Sequence, residues 1–447
     1  MNHLATLVLA GADTQEIRAL HDCFTSNSYA GRRVSSGAAA LEQVRTARPD
    51  VLVVGPGLTD DMTALDLLAT VKGDEAFADM AVVVLTEQPL AEVGDALLAA
   101  GADDALAWPA VAAVVLARVR PLVRVATMQA EYHQRAALAG TPRTPEPDAS
   151  DSRPAQILVI GQAADAAMVE ATLADAARIT QTADLFEAQS LLEARPYDAA
   201  VMVGRGGAEA AMDLCLQIRR NPRLFNLPVL FLADAALMAD AAKPYGMGAS
   251  VVLPLAVPAG ELRFAAFAQV RRQRRRWALR RAIDSTMTPE TTDSAARTAY
   301  SAAYLDRYLA RRVAAAVAAR RQLSVVAFDF AGVDAIRQEF GTEAESHLLG
   351  QLGQWLTLLV RAEDLVARQS GSRFIVILPD TPLSEAQVVM HRIAGVISST
   401  DFAVFDVYRV VNVWAAVHAA ALTDGDDDHT LMQRATALPR LEEVGGA

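Results

Sequence analysis

The chain has 447 residues, 52% of them hydrophobic and 21% charged, and a formal net charge of -12 at pH 7. That length exceeds one ordinary core and predicts about three domains. The composition excludes a disordered or fibrous chain, and the acidic balance argues against a general nucleic-acid binder, which needs basic surface to displace counterions.

Cys23 and Cys215 fall in separate apolar-periodic segments and read as buried thiols of a reducing compartment, not as a disulfide or metal pair. The N-terminal residues show no signal pattern, and no run of about 18 apolar residues suggests a membrane span. The expected location is the cytoplasm.

Leu4 to Ala10 reads as a strand and Asp13 to Cys23 as a helix. Asp50–Val54 and Met80–Leu85 are short apolar runs suited to buried strands. A strand at Asp104–Trp108 meets Pro109, and Ala110 to Arg124 reads as a helix. Alternating β and α units of this length predict a parallel sheet with helices on both faces. Leu138 to Pro154 is rich in Pro, Ser and Asp without periodicity, as a linker would be. The same rhythm then restarts with Gln156–Ile160, Tyr197–Val203, Leu227–Leu232 and Ser250–Pro254, an internal repeat at domain scale.

A helix from about Glu261 to Arg281 carries a run of arginines that reads as a solvated connector or, beside the third domain, as an anion contact. The last segment offers a strand Leu323–Phe330 and helices Val333–Phe340 and Thr342–Val360. A hairpin spanning Arg361 to Asp380 follows, then a helix Leu383–Ile397 and a strand Tyr408–Val417. The predicted order is domain 1 over 1–130, linker 131–154, domain 2 over 155–275, connector 276–290 and domain 3 over 291–447.

Both repeats resemble the receiver domains of response regulators, which implies a CheY-like (flavodoxin-like) α/β fold. A working receiver holds Mg²⁺ on an acidic pair after its first strand and accepts a phosphoryl group on an aspartate after its third. In the first repeat Gly11 and Ala12 stand at the pair, with Asp13 beside them. Gly55 replaces the acceptor, Thr86 is kept, and Trp108-Pro109 replaces Lys-Pro. In the second repeat Gly161 and Gln162 stand at the pair, Val203 at the acceptor, Ala233 at the switch position and Leu253-Pro254 at the lysine. A hard cation needs several oxygen ligands, so neither domain is expected to be phosphorylated; Asp60 and Asp61 read as solvated loop acids. The resemblance leaves these domains as docking and dimerisation modules, giving a homodimer.

The hairpin resembles the signature of diguanylate cyclase (GGDEF) domains, a palm-like α/β fold. The family pattern is Arg-x-x-Asp, five residues, then Gly-Gly-Asp/Glu-Glu-Phe at a turn before a buried strand. Here Arg361 and Asp364 keep the first part, while the turn reads Ser370-Gly371-Ser372-Arg373-Phe374. Asp329 matches the first metal aspartate, with the Phe330 carbonyl beside it, but the second is Ala331. The guanine-reading positions are Arg337 and Glu343, and the triphosphate lysine is Glu443, in a helix interrupted by Pro439. A fixed guanidinium about 4 Å from a cation, at an effective dielectric near 20, costs on the order of 4 kcal/mol per pair of unit charges. Catalytic residues are therefore expected to be absent, with no metal and no cofactor. Asp329 reads as a lone acid at a strand edge, and Arg373 as either idle or a contact to a GTP that is never turned over. His391 and His418 have no partners at metal-ligand spacing.

What remains suits guanine. An arginine can donate two hydrogen bonds to O6 and N7 or stack on the ring, and a carboxylate can accept from N1-H and N2-H. By the resemblance Arg361 and Asp364 bind cyclic di-GMP and Arg392 is a secondary contact; the bland alternative is a surface ion pair with a solvated Arg392. The receiver–receiver–cyclase layout resembles the PleD-type response regulators over nearly the whole chain. It implies a non-catalytic cyclic di-GMP effector that gathers adaptor proteins and the ClpXP protease with a cell-cycle substrate at a cell pole. The alternatives are a weak or heterodimer-dependent diguanylate cyclase and a ligand-independent scaffold.

Overall fold

Strand-length runs of Val, Ile and Leu alternating with helices set the architecture of the first 260 or so residues. The computed structural model describes residues 2–141, 153–205, 209–240, 242–405 and 407–437. The first domain runs β1 (Ala5–Ala10), α1 (Gln15–Ser26), β2 (Tyr29–Val34), α2 (Gly37–Ala47), β3 (Val51–Val54) and α3 (Ala64–Gly73). It continues with β4 (Ala81–Thr86), α4 (Leu90–Ala99), β5 (Asp104–Ala107) and α5 (Ala112–Ala139). Its sheet is parallel with order β2-β1-β3-β4-β5, the flavodoxin-like doubly wound order. All four residues of β3 are buried, as a strand covered on both faces requires. Hydroxyl caps start the helices: Thr14 on α1, Ser36 on α2, and on α3 Thr63, in a capping box with Asp66.

The second domain repeats the plan. It comprises β6 (Ala155–Ile160), α6 (Ala163–Leu173), β7 (Ala177–Thr182), α7 (Leu185–Ala194), β8 (Ala199–Gly204) and α8 (Glu209–Arg220). Then come β9 (Val229–Ala233), α9 (Ala235–Met238), α10 (Ala242–Gly246), β10 (Val251–Pro254) and α11 (Ala259–Asp284). The order β10-β9-β8-β6-β7 is the same topology read from the other edge. Together the two domains form one compact unit, Ala5–Ala126 with Glu146–Ala278. Within it α4 and α11 approach closely: a Cβ on Gly260 would lie 2.5 Å from the Ala91 carbonyl oxygen, so glycine is required there.

The other unit gathers the described residues of Met1–Leu4, Thr127–Pro145 and Leu279–Ala447. Its elements are α12 (Ala302–Ala319), β11 (Leu323–Ala331), α13 (Val333–Leu359), β12 (Leu365–Ser370), β13 (Arg373–Pro379), α14 (Leu383–Ser398), β14 (Trp414–Ala421) and α15 (Asp428–Thr436). The sheet is antiparallel with order β12-β13-β11-β14. Alternation along β11 sends Val326, Phe328 and Phe330 to one core with Leu348, Leu352 and Ile393, and Leu323, Val325 and Ala327 to another with Tyr304, Tyr308 and Leu431. The two predicted helices of this segment are both present within the span α13, separated at Gly341, whose φ of 89° and ψ of 179° lie outside the helical region and favour glycine.

Two expectations need correction. The segment 131–139, assigned to a linker, is the end of α5. It is helical because Met128, Glu131, Tyr132, Arg135 and Ala136 line one buried face. The connecting helix expected over 276–290 is, as far as Asp284, the last turns of α11. The final strand starts at Trp414 and not Tyr408: Phe402 bridges Val411, and Val407, Val411 and Val413 enter the core from an irregular segment.

Candidate functional site

The antiparallel register of β11 and β13 sets Asp329 opposite Arg373, so their side chains share a face. Arg373 donates to Asp329 Oδ2 through Nε at 2.9 Å and Nη2 at 2.5 Å, and Ser372 Oγ donates to Oδ1 at 3.4 Å. Asp329 is therefore an ion-paired acid, not the lone one expected. The turn is tied down as well. Gly371 has φ 50°, its carbonyl accepts from Arg368 Nε at 2.8 Å, and Arg368 pairs with Asp293. Ser370 lies beside a register shift in β12.

The carboxylate a divalent cation would need is held by a guanidinium, and Ala331 and Ser372 bring no charge, so these residues do not fit a Mg²⁺ pair. Among the described residues no three His, Cys, Asp or Glu side chains gather as a metal site would need. Arg337 lies 3.5 Å from Asp334 on its own helix, and Glu343 is exposed. Glu443 and Pro439 lie outside the described residues.

The second site forms where α13 ends at Val360 and the chain turns into β12. Asp364 Oδ2 accepts from the Arg361 backbone N–H at 2.8 Å, closing the turn. Its Oδ1 is buried without a hydrogen-bond partner. Asp364 and Glu363 are each 6% exposed, so the bland reading of a surface ion pair does not hold. Burial first, and then the neighbouring Glu363, raise the Asp364 carboxyl to about 7, against the opposing pull of Arg361.

The Arg361 guanidinium is turned toward Glu385 on α14, with Nη2 3.9 Å from Oε2. Two turns further along α14, Arg392 Nη2 donates to the Leu359 carbonyl at 2.8 Å. Arg361, Asp364 and Arg392 are thus brought to one corner. Glu385, Glu363 and Arg135, whose Nη2 donates to the Glu363 carbonyl at 2.5 Å, belong to the same corner and were not singled out from the sequence. No motif marks Glu385 or Arg135; Glu363 at least lies inside the Arg-x-x-Asp turn. Chemically the corner offers two guanidinium donors and an orphan acceptor, a pattern that complements the edge of a guanine base.

In the first repeat Gly55 follows β3, with its N–H on the Ala10 carbonyl at 2.6 Å. A Cβ there would lie 3.0 Å from Ile17 Cδ1. Asp13 is drawn to Arg18 at 2.9 Å and Arg33 at 2.6 Å, and the Arg18 hydrogen bond leads in holding its carboxyl below the usual value. Asp60, expected as a solvated loop acid, accepts from the backbone N–H groups of Gly37 and Ala38 at the start of α2. In the second repeat Val203 lies in β8 beside Gly161, and Asp165 accepts from Gln162 N–H at 2.9 Å and pairs with Arg205.

Two receiver-like, doubly wound α/β domains followed by an α/β domain on a four-stranded antiparallel sheet is the class this fold defines. Residues 298–445 match the family described as diguanylate cyclase, GGDEF domain. Over 433 residues the chain is 25% identical to the response regulator PleD of Caulobacter vibrioides, covering 94% of this chain and 92% of PleD; its layout is PleD-like. It is also 35% identical over 130 residues to the transcriptional regulatory protein KdpE of Mycobacterium tuberculosis, which is 29% of this chain and 56% of KdpE. Among solved structures it is similar to the GGDEF domain of DgcB from Caulobacter crescentus in complex with c-di-GMP. That similarity has 17% identity and a TM-score of 0.32, over 33% of this chain and 86% of that one. Among the described residues no helix is long and apolar enough to cross a membrane.

Proposed function

We propose that the protein is a non-catalytic cyclic di-GMP effector. Arg361 and Asp364 grip a guanine base, Arg392 adds a secondary contact, and the liganded protein recruits other proteins. The observation that carries this reading is a contrast between two carboxylates of the third domain. Asp329, which catalysis would need, is held by Arg373, whereas Asp364 keeps a buried oxygen without a hydrogen-bond partner in the field of Arg361 and Arg135. A guanine N–H reaching that oxygen supplies the missing donor, and an unpaired buried acceptor otherwise costs about 1–3 kcal/mol.

With Gly55 and Val203 at the acceptor positions, the receivers serve as docking and dimerisation surfaces in a homodimer. The domain order, the altered turn and the kept Arg-x-x-Asp resemble the cell-cycle effector PopA. That resemblance extends the proposal to adaptor proteins and ClpXP as partners at a cell pole in the cytoplasm. Ligand binding acts by population shift, no further than its preference for one arrangement of the chain allows.

Calorimetry of the full chain with cyclic di-GMP tests the reading. Arg361→Gly should weaken binding by roughly 5- to 150-fold, the loss of one bidentate base contact of about 1–3 kcal/mol. Equal heats for both proteins, or none for either, would favour a scaffold without ligand. Incubation with GTP and Mg²⁺ should yield no cyclic di-GMP, and product would overturn the non-catalytic assignment.

A further inference from the structure

A cavity of about 380 Å³ lies within the receiver unit, between the first domain and α11. Leu122, Val125 and a row of alanines form its apolar wall, and Lys72, Arg271, Arg272 and Arg275 face Asp79 and Asp103 on the polar side. Three of these cations have partners. Lys72 Nζ donates to Asp103 Oδ2 at 2.8 Å and the Met80 carbonyl at 2.7 Å, Arg271 donates to the Leu98 carbonyl at 2.7 Å, and Arg275 lies 3.1 Å from Asp79.

Arg272 differs. Among the described residues its guanidinium has no hydrogen-bond or ion-pair partner. Asp104, the carboxylate whose field reaches it, is already gripped by Arg118 through Nε at 2.6 Å and through Nη2. Burial, and the like charges of Arg118, Arg219 and Arg276 against the lone pull of Asp104, lower Arg272 to about 10. Two guanidiniums share one carboxylate, so Arg272, half-buried at the cavity wall, is left without a counter-ion of its own. An anion in the cavity supplies one, and the guanidinium fork matches phosphoryl oxygens in geometry and charge. A bare phosphate ion would leave most of the volume unfilled, while Leu122 and Val125 offer an organic group an apolar surface.

We propose that this cavity binds a phosphomonoester, with its phosphoryl oxygens on Arg272 and its organic group against Leu122 and Val125. The walls come from both receivers, α3, α4 and α5 of the first and α11 of the second, so an occupant ties the two domains together. The proposal does not depend on the cyclic di-GMP corner.

Titration calorimetry of the full chain with inorganic phosphate and with phenyl phosphate provides the test. One site is expected, tighter for phenyl phosphate, with affinity about tenfold weaker in Arg272→Gln and unchanged in Arg361→Gly. No saturable heat in the native protein at millimolar concentration, or undiminished affinity in Arg272→Gln, overturns it. Arg272→Lys keeps the charge and loses the fork. It covers the case where the glutamine variant does not fold, and again a loss of about tenfold supports the site and equal affinity refutes it.

Discussion

Replacing Asp364 by asparagine should change how the stability of the third domain depends on pH. In the fold this carboxyl titrates near 7, against an ordinary value of 3.8, chiefly because it is buried. The folded chain therefore holds the proton more tightly than the unfolded one. The associated stability is fully present below about pH 4 and is lost as the pH rises through about 7. A difference of about three pH units, at about 1.36 kcal/mol each, gives a loss on the order of 4 kcal/mol. The asparagine side chain would keep the shape and carry no charge. Urea unfolding at about pH 5 and pH 8, followed by tryptophan fluorescence, should show the native protein losing most of that amount and Asp364→Asn losing markedly less. An equal loss in both would refute the assignment of the burial cost to this side chain. The same logic reaches the ligand. Guanine N–H donors favour the charged carboxylate, so binding near pH 7 should release a proton, visible as binding heats that differ between buffers of high and low ionisation enthalpy.

Arg135→Met should destabilise the third domain by about 3–5 kcal/mol in thermal or urea unfolding. It removes one member of a buried charge cluster in which Glu131 takes a 2.5 Å hydrogen bond from Tyr308 and faces Arg312 at 3.1 Å. Acetyl phosphate with Mg²⁺ should leave the intact mass unchanged. Gly55→Asp should not restore phosphorylation, since its Cβ would crowd Ile17 and Asp13 is drawn away by two arginines. The added mass of one phosphoryl group on either protein would contradict this.

The doubly wound halves were legible because a buried parallel strand is written as an uninterrupted apolar run, as at Val51–Val54 and Ile157–Ile160. Strand β2, Tyr29–Val34, gives no such signal because it is an edge strand with arginines at its exposed positions. Helix α12 is hidden as well: its buried face includes Tyr304, Tyr308 and Arg312, and the alanine-rich remainder gives little contrast. At the proposed site, the Arg-x-x-Asp spacing is local, since Arg361 and Asp364 close a single turn. The Asp329–Arg373 pair depends on strand register, which local pattern does not give, and Glu385 and Arg135 arrive from distant segments. The cap formed by Asp60 was hidden for the same reason, since its partners lie more than twenty residues earlier.

The turns of α5 from Thr127 to Ala139 belong to the same unit as the C-terminal sheet, although the sheet's first strand does not begin until Leu323. Thr127 donates to Asp380 at 2.8 Å, and Glu131 and Arg135 sit among the tyrosines of α12. A polypeptide begun at residue 291 would lack these groups, leaving Tyr308 and Arg312 facing an empty seat, so the cyclase-like domain is not a portable cassette. On the ribosome its core cannot close until its last strand emerges, long after the helical segment that completes it was made.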